Sequence, residues 1–259
     1  MNEPEQTLTP VQHQWLHEKY PSDAAYRDAY RRVLSGEPLA YVLGETVFYD
    51  ETYRVTPDVL IPRPDTERIV ERCIKLLGQT QNPRMLDLCT GSGCIAISAA
   101  AHTPALNVRA ADISPAALDI ARENAALNGV SERVEFIEAD IRTADGAALC
   151  AGADALFDVI ASNPPYITDA AMKTLDAGVI GYEPEVALRG GADGMDFYRD
   201  ILRLYPKYLN DGGAFVFEIG YDQRGAITEL AEALGFCCTV ERDWGGNDRV
   251  AVINMKPTI

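Results

Sequence analysis

The sequence predicts a doubly wound, mostly parallel α/β sheet, and three observations lead there. From Arg84 onward, short apolar runs of strand length alternate with longer helical patterns, the order that builds βαβ units. The run Phe157-Asp158-Val159-Ile160-Ala161 reads as a buried strand. A glycine loop, Asp87-Leu88-Cys89-Thr90-Gly91-Ser92-Gly93, joins the first strand of the series to its helix.

The elements follow in order. A chain of 259 residues allows one large domain with a smaller appendage. Residues 10–35 read as helical, with Trp15, Leu16, Tyr26, Tyr30 and Val33 as apolar positions. Tyr41-Val42-Leu43 and Val47-Phe48-Tyr49 read as strands, and Tyr53-Arg54-Val55 follows an Asp50-Glu51 turn, which predicts a hairpin. Ile61-Pro62-Arg63-Pro64-Asp65-Thr66-Glu67 is a stiff linker, and Asp65 or Thr66 caps the helix that runs to about Leu77. The division expected is a short helical N-terminal region (1–36), a β-hairpin linker (37–62) and the α/β domain (63–259).

Within that domain, Met85–Leu88 is the first strand and Cys94–His102 its helix. Val108–Ile113 is the second strand. The next helix has Ser114 as cap, Pro115 at its first position and Asn128-Gly129 at its end. Val134–Ile137, Phe157–Ala161 and Gly213–Glu218 are further strands, the last entered through the turn Asp211-Gly212-Gly213. Cys238–Arg242 and Arg249–Asn254 pair as a final hairpin around Trp244-Gly245-Gly246-Asn247.

Composition removes several functions. The formal charge is −16, which opposes nonspecific nucleic-acid binding through Lys and Arg. No apolar run approaches the ~20 residues of a bilayer span, and the acidic start Met1-Asn2-Glu3-Pro4-Glu5 is unlike a signal peptide. The expectation is a cytoplasmic protein with no membrane and no direct nucleic-acid partner. Six irregularly spaced cysteines point to reduced thiols. His13 and His17 can share a helix face, but no third ligand is evident, so no metal is expected.

The chemistry gathers at strand ends. Gly91 and Gly93 let the backbone approach a ligand, yet Ala96 stands where a dinucleotide loop has its third glycine, and no Gly-Lys-Ser/Thr follows. A diphosphate is therefore not specifically implied. Asp112 ends the second strand, where a carboxylate can accept both ribose hydroxyls. Asp140 ends the third and is suited to an exocyclic adenine amine. Either acid alone reads as a helix cap or solvated strand end; together they face one crevice and point to a nucleoside. Asn163-Pro164-Pro165-Tyr166 follows the fourth strand. Its prolines fix φ and lack N–H groups. Asn163 and Pro164 thus offer two rigid acceptors, the Asn163 side-chain oxygen and the Pro164 carbonyl, to a planar amino group.

This ordered set resembles the class I S-adenosylmethionine-dependent methyltransferases that act on planar nitrogen. Gly36–Tyr41, Ile61–Glu67, Glu183–Leu188, Gly190–Gly194 and Glu218-Ile219-Gly220 narrow the resemblance to the HemK/PrmC family, the peptide chain release factor glutamine N5-methyltransferases. The resemblance covers nearly everything from Gly36 onward. It implies the class I methyltransferase fold with a seven-stranded sheet, and residues 63–259 as its methyltransferase domain. It also implies S-adenosylmethionine as cofactor. Thr90, Gly91, Ser92 and Gly93 would hold its methionine part, with Cys89 heading the loop. Asp112 would hold the ribose, and Asp140 and Ile141 would border the adenine. Asn163 would touch both cofactor and substrate. Asn163 and Pro164 would be the catalytic acceptors, flanked in the substrate site by Pro165 and by Tyr166 packed over the amide plane. The partner implied is a class I release factor, methylated at the glutamine of its Gly-Gly-Gln loop.

Two departures stand out: Cys89 lies where the family often has Gly, and the helical N-terminal region is shorter than the family's. Other readings are methylation of a ribosomal-protein glutamine or of DNA adenine, and a noncatalytic cofactor-binding module that docks to translation factors. The long segment from Thr168 to Gly194 is expected to form a lid over the substrate groove.

Overall fold

A computed structural model describes residues 8–152, 156–175 and 181–256. Helices α1 (Pro10–Lys19) and α2 (Asp23–Leu34) form the N-terminal region, each with a side-chain N-cap, from Thr9 and Ser22. The single helical stretch expected over residues 10–35 is thus two helices. They part at Tyr20-Pro21, because proline has no N–H to continue the helix and pushes the residue before it out of helical space. Trp15 is exposed, while Leu16, Ala29, Val33 and Val42 make a small core apart from the main one.

Tyr41-Val42-Leu43 is not a strand. It lies in a short helix, α3 (Leu39–Leu43), bracketed by Pro38 and by Gly44 at φ 74°. The apolar run is too short for its periodicity to separate helix from strand, so its flanking residues decide. The hairpin is β1 (Glu45–Phe48) and β2 (Glu51–Arg54), paired antiparallel. Its turn is Tyr49-Asp50, one residue earlier than expected, with both residues at positive φ, the two-residue turn that matches strand twist.

Helix α4 (Glu67–Leu77) leads into β3 (Arg84–Leu88), α5 (Cys94–His102), β4 (Asn107–Asp112), α6 (Pro115–Leu127), β5 (Val134–Glu138), α7 (Ala144–Ala151) and β6 (Phe157–Ser162). Two short strands, β7 (Ile167–Thr168) and β8 (Arg189–Gly191), pair in parallel. Helix α8 (Asp196–Leu204), β9 (Leu209–Glu218), α9 (Arg224–Ala233), β10 (Phe236–Arg242) and β11 (Asp248–Met255) complete the order. The main sheet runs β10-β11-β9-β6-β3-β4-β5, with β11 antiparallel to both neighbours and β3, β4, β5, β6 and β9 joined in parallel. This is the seven-stranded class I methyltransferase fold. The expected turn Asp211-Gly212-Gly213 is instead an irregularity inside β9, where the register against β6 shifts.

Alternation along the strands supplies two cores. Met85, Val159, Val216 and Val252 face α4 and α5, whereas Leu86, Ile160, Phe217 and Ile253 face α7, α8 and α9. From β3 the chain winds outward through β4 and β5, then returns to β6 on the other side. That reversal opens a crevice at the carboxyl ends of β3 and β6, where the glycine loop and Asn163 stand.

Candidate functional site

The loop after β3 takes its shape from three left-handed residues, Cys89 (φ 59°), Gly91 (φ 54°) and Gly93 (φ 82°). Asp112, ending β4, accepts hydrogen bonds from the Gly91 N–H (2.9 Å) and the Ser114 N–H (3.0 Å). Burial raises its pKa, and those N–H groups oppose the rise. Helix α5 starts at Cys94, and the residue before it, Gly93, provides no side-chain cap; the Ala96 N–H of its first turn is directed toward the buried Asp87 carboxylate.

Beneath the loop lies Asp87, wholly buried. Its Oδ2 accepts the Thr90 hydroxyl at 2.6 Å, while Oδ1 has no partner among the described residues. Burial, with the charge of Asp112 adding to it, pushes the Asp87 pKa up to about 7. The Thr90 hydroxyl opposes that rise, and the Ala96 N–H does so without a full hydrogen bond.

Two cavities meet beside the loop. The larger, about 280 Å³, is lined by Cys89, Thr90, Gly91, Ser92, Asp112, Asp140, Ile141, Asn163 and Pro165 among others. The smaller, about 180 Å³, is lined by Leu60, Arg63, Asn163, Tyr166, Ile167, Leu175, Ala187, Leu188 and Glu218. Asn163 borders both. Of the residues expected from the sequence, Gly93 and Pro164 line neither cavity. Gly93 lies behind the loop, where a Cβ would sit 2.8 Å from the Ile97 side chain. Pro164 is buried, and no described residue donates to its carbonyl.

The Asn163 side chain is held by residues whose role at this site the sequence reading did not anticipate. Its Nδ2 donates to Thr66 Oγ1 at 3.2 Å. The Thr66 hydroxyl donates to Glu218 Oε2 at 2.6 Å, and the Tyr166 hydroxyl donates to Glu218 Oε1 at 3.1 Å. Thr66 precedes α4 but makes no cap hydrogen bond, because its backbone is already helical (φ −67°, ψ −20°), ending the 3-10 turn Pro64–Thr66 that leads into the helix. Burial raises the Glu218 pKa, opposed by Thr66, Arg249 and Tyr166. The signal that could have found Glu218 is its position: like Asp112, it is an acid ending a strand of the sheet.

Arg63, in the linker, makes an ion pair with the buried Glu183, and the Tyr182 hydroxyl donates to the Ser35 carbonyl at 3.3 Å. Pro184, Val186 and Ala187 line the larger cavity. The described parts of the Thr168–Gly194 segment are thus pinned to the linker and to the N-terminal region, and border the cofactor cleft. Residues 176–180 lie outside the described residues.

Comparison with known proteins now bears on this geometry. Residues 71–180 match the family model for the methyltransferase small domain. The chain is 39% identical over 222 residues to the release factor glutamine methyltransferase of Fusobacterium nucleatum, covering 85% of this chain and 61% of that protein. It is 41% identical over 239 residues to the enzyme of the same name from Moorella thermoacetica, covering 90% and 81%. The chain belongs to the release factor glutamine methyltransferase family. The family and the fold imply S-adenosylmethionine as the methyl donor. A ribosomal protein L11 methylase from Lactobacillus delbrueckii subsp. bulgaricus shares the fold, with TM-score 0.53 and 23% identity over 75% of this chain and 80% of that one.

The residues present suit that donor. The cleft is bordered by mixed polar and apolar groups. Cys94 and Ile95, the first residues of α5, border it together with the Asp112 carboxylate. Among the described residues no helix is long and apolar enough to cross a membrane.

Proposed function

We propose that this chain transfers a methyl group from S-adenosylmethionine to the side-chain amide nitrogen of a glutamine, in the Gly-Gly-Gln loop of a class I peptide chain release factor. The observation that carries the proposal is the position of Asn163, on the border between the larger cleft beside the glycine loop and a smaller pocket. In this reading residues 63–259 are the methyltransferase domain, 37–62 the linker and 1–36 a helical region beside it, and the enzyme works in the cytoplasm.

Thr90, Gly91 and Ser92 would hold the methionine part of the cofactor, with Cys89 at the head of the loop, while Gly93 lies behind them where helices α5 and α6 pack close. Asp112 takes the ribose, and Asp140 and Ile141 border the adenine. The cofactor supplies a methyl already activated on a positive sulfonium. An amide nitrogen is a poor nucleophile because its lone pair is delocalised, so the task left to the protein is orientation and charge stabilisation. Orientation alone recovers on the order of 7–11 kcal/mol of a barrier.

Asn163 Oδ1 would accept one amide hydrogen and face the positive charge that grows on the nitrogen. The Pro164 carbonyl, buried beside the two cavities, would be the second acceptor as the substrate amide seats against it. One N–H proton leaves to water as the methyl is taken up. Pro165 and Tyr166 flank the amide plane. Leu60, Leu175 and Leu188 line the smaller pocket and keep water from competing for those acceptors. The net charge of −16 disfavours DNA as substrate.

The test is incubation of the enzyme and labelled cofactor with a purified class I release factor, a ribosomal-protein mixture and DNA in parallel. Mass spectrometry then maps the label. Label on the release factor's Gly-Gly-Gln glutamine supports the reading, and label only on ribosomal protein or DNA overturns it.

A further inference from the structure

The chain of hydrogen bonds behind Asn163 has a direction, and the direction has consequences. Glu218 is buried. As a carboxylate it can only accept, so the single proton of the Thr66 hydroxyl points to Oε2. Thr66 Oγ1 then has only lone pairs left for Asn163. The group of the Asn163 amide that faces Thr66 must therefore be its NH2, and Oδ1 is turned away from Thr66, free to accept. Tyr166, whose hydroxyl holds the other Glu218 oxygen, ties a second wall of the small pocket to the same carboxylate.

We propose that Glu218 and Thr66 are positioning residues that fix which end of the Asn163 amide faces the substrate. The inference rests on the methyl-transfer reading above for its consequence, but not for its geometry. With Glu218 ionised, Asn163 presents an acceptor to the incoming NH2. With Glu218 protonated, a donor replaces an acceptor at Oε2. Thr66 can then turn its proton to Asn163, and the amide reverses to set NH2 against NH2. The relay thus works as a polarity lock, open to protons through one buried carboxylate.

The ionisable groups around that carboxylate are Arg249, which favours its charge, Asp65, which disfavours it, and Tyr166. Tyr198 donates to the Glu218 backbone carbonyl at 2.6 Å, and Cys94 also feels the Glu218 charge. Burial is the largest influence and raises the Glu218 pKa. The lock is therefore lost at a higher pH than an exposed glutamate would titrate.

The experiment compares wild type, Thr66→Val and Thr66→Ser by two readouts. The first needs no substrate: hydrogen exchange of the Asn163 side-chain NH2, followed by NMR on 15N-labelled protein. The wild-type NH2 exchanges slowly and loses protection on acidification as Glu218 takes up a proton. Thr66→Ser keeps the protection and Thr66→Val loses it. The second readout is turnover on release factor at saturating cofactor. There kcat of Thr66→Val falls about tenfold to hundredfold, the effect of leaving buried polar groups unpaired. Thr66→Ser recovers most of it, and because kcat is read at saturating cofactor, any change in cofactor affinity from Thr66, which also lines the larger cavity, is kept out of the comparison.

A fast-exchanging Asn163 NH2 in wild type overturns the relay without needing either variant, as does Thr66→Val with wild-type protection and wild-type kcat. Slow exchange lost in Thr66→Val, in an enzyme that methylates no release factor, supports the relay and removes the substrate reading instead.

Discussion

Asp87 shows how a single buried residue beneath the site links stability to pH. Its folded pKa is raised from 3.8 to about 7, so between those values the folded chain holds a proton that the unfolded chain has released. Stability from this group is complete below about pH 4 and is lost as pH rises through 7. Relative to Asp87→Asn, wild type is expected to be less favoured at pH 8 than at pH 5, by on the order of 2–3 kcal/mol. Urea unfolding of both proteins at the two pH values measures this. An unchanged gap would mean that Asp87 is already ionised in the folded chain at pH 5. The sequence places Asp87 in the first strand and at the head of the glycine loop, but its burial and its partnerless oxygen have no local signal. Thr66 departs from its local signal for a related reason. A threonine before a helix reads as a cap, and nothing local indicates that its hydroxyl is claimed by Glu218, 152 residues later.

At the scale of elements, the glycine loop makes a graded prediction. Gly91 and Gly93 both have positive φ, but a Cβ on Gly91 meets nothing within 4 Å, whereas one on Gly93 would lie 2.8 Å from Ile97 and 3.2 Å from the Ala121 Cβ. Gly91→Ala should cost about 1 kcal/mol of left-handed strain. Gly93→Ala adds overpacking to that strain and should cost about 2–4 kcal/mol. Chemical denaturation measures both, and equal costs would contradict the close approach of α5 and α6 behind Gly93. The strands β3 to β6 and helices α5 and α6 were legible because apolar runs and helix caps repeat there at regular spacing, whereas α7 (Ala144–Ala151), short and rich in Ala, carries no such pattern. Elements before β3 were less so. Tyr41-Val42-Leu43 carries β-type residues, and its helix is set by Pro38 and Gly44 rather than by its own pattern. The hairpin turn falls on Tyr49-Asp50, whose positive φ values no glycine announces.

For the whole molecule, the sheet order matters most. Winding out from β3 to β5 and back to β6 puts the cofactor loop and Asn163 at the same crevice. The order of acids and the Asn-Pro-Pro-Tyr turn made that crevice legible in advance. The second cavity was not legible, because Leu60, Arg63, Tyr166, Leu188 and Glu218 converge only through long-range packing. The central claim is that Asn163, at the junction of the two cavities, supplies transition-state stabilisation to transfer between them. It is tested most directly by kcat/KM of wild type and Asn163→Ala on a release factor, with cofactor affinity measured by calorimetry. The expected result is a loss of about 2.7–4 kcal/mol of transition-state stabilisation, roughly a hundredfold to a thousandfold in rate, with cofactor binding little changed. Wild-type turnover in Asn163→Ala would contradict it.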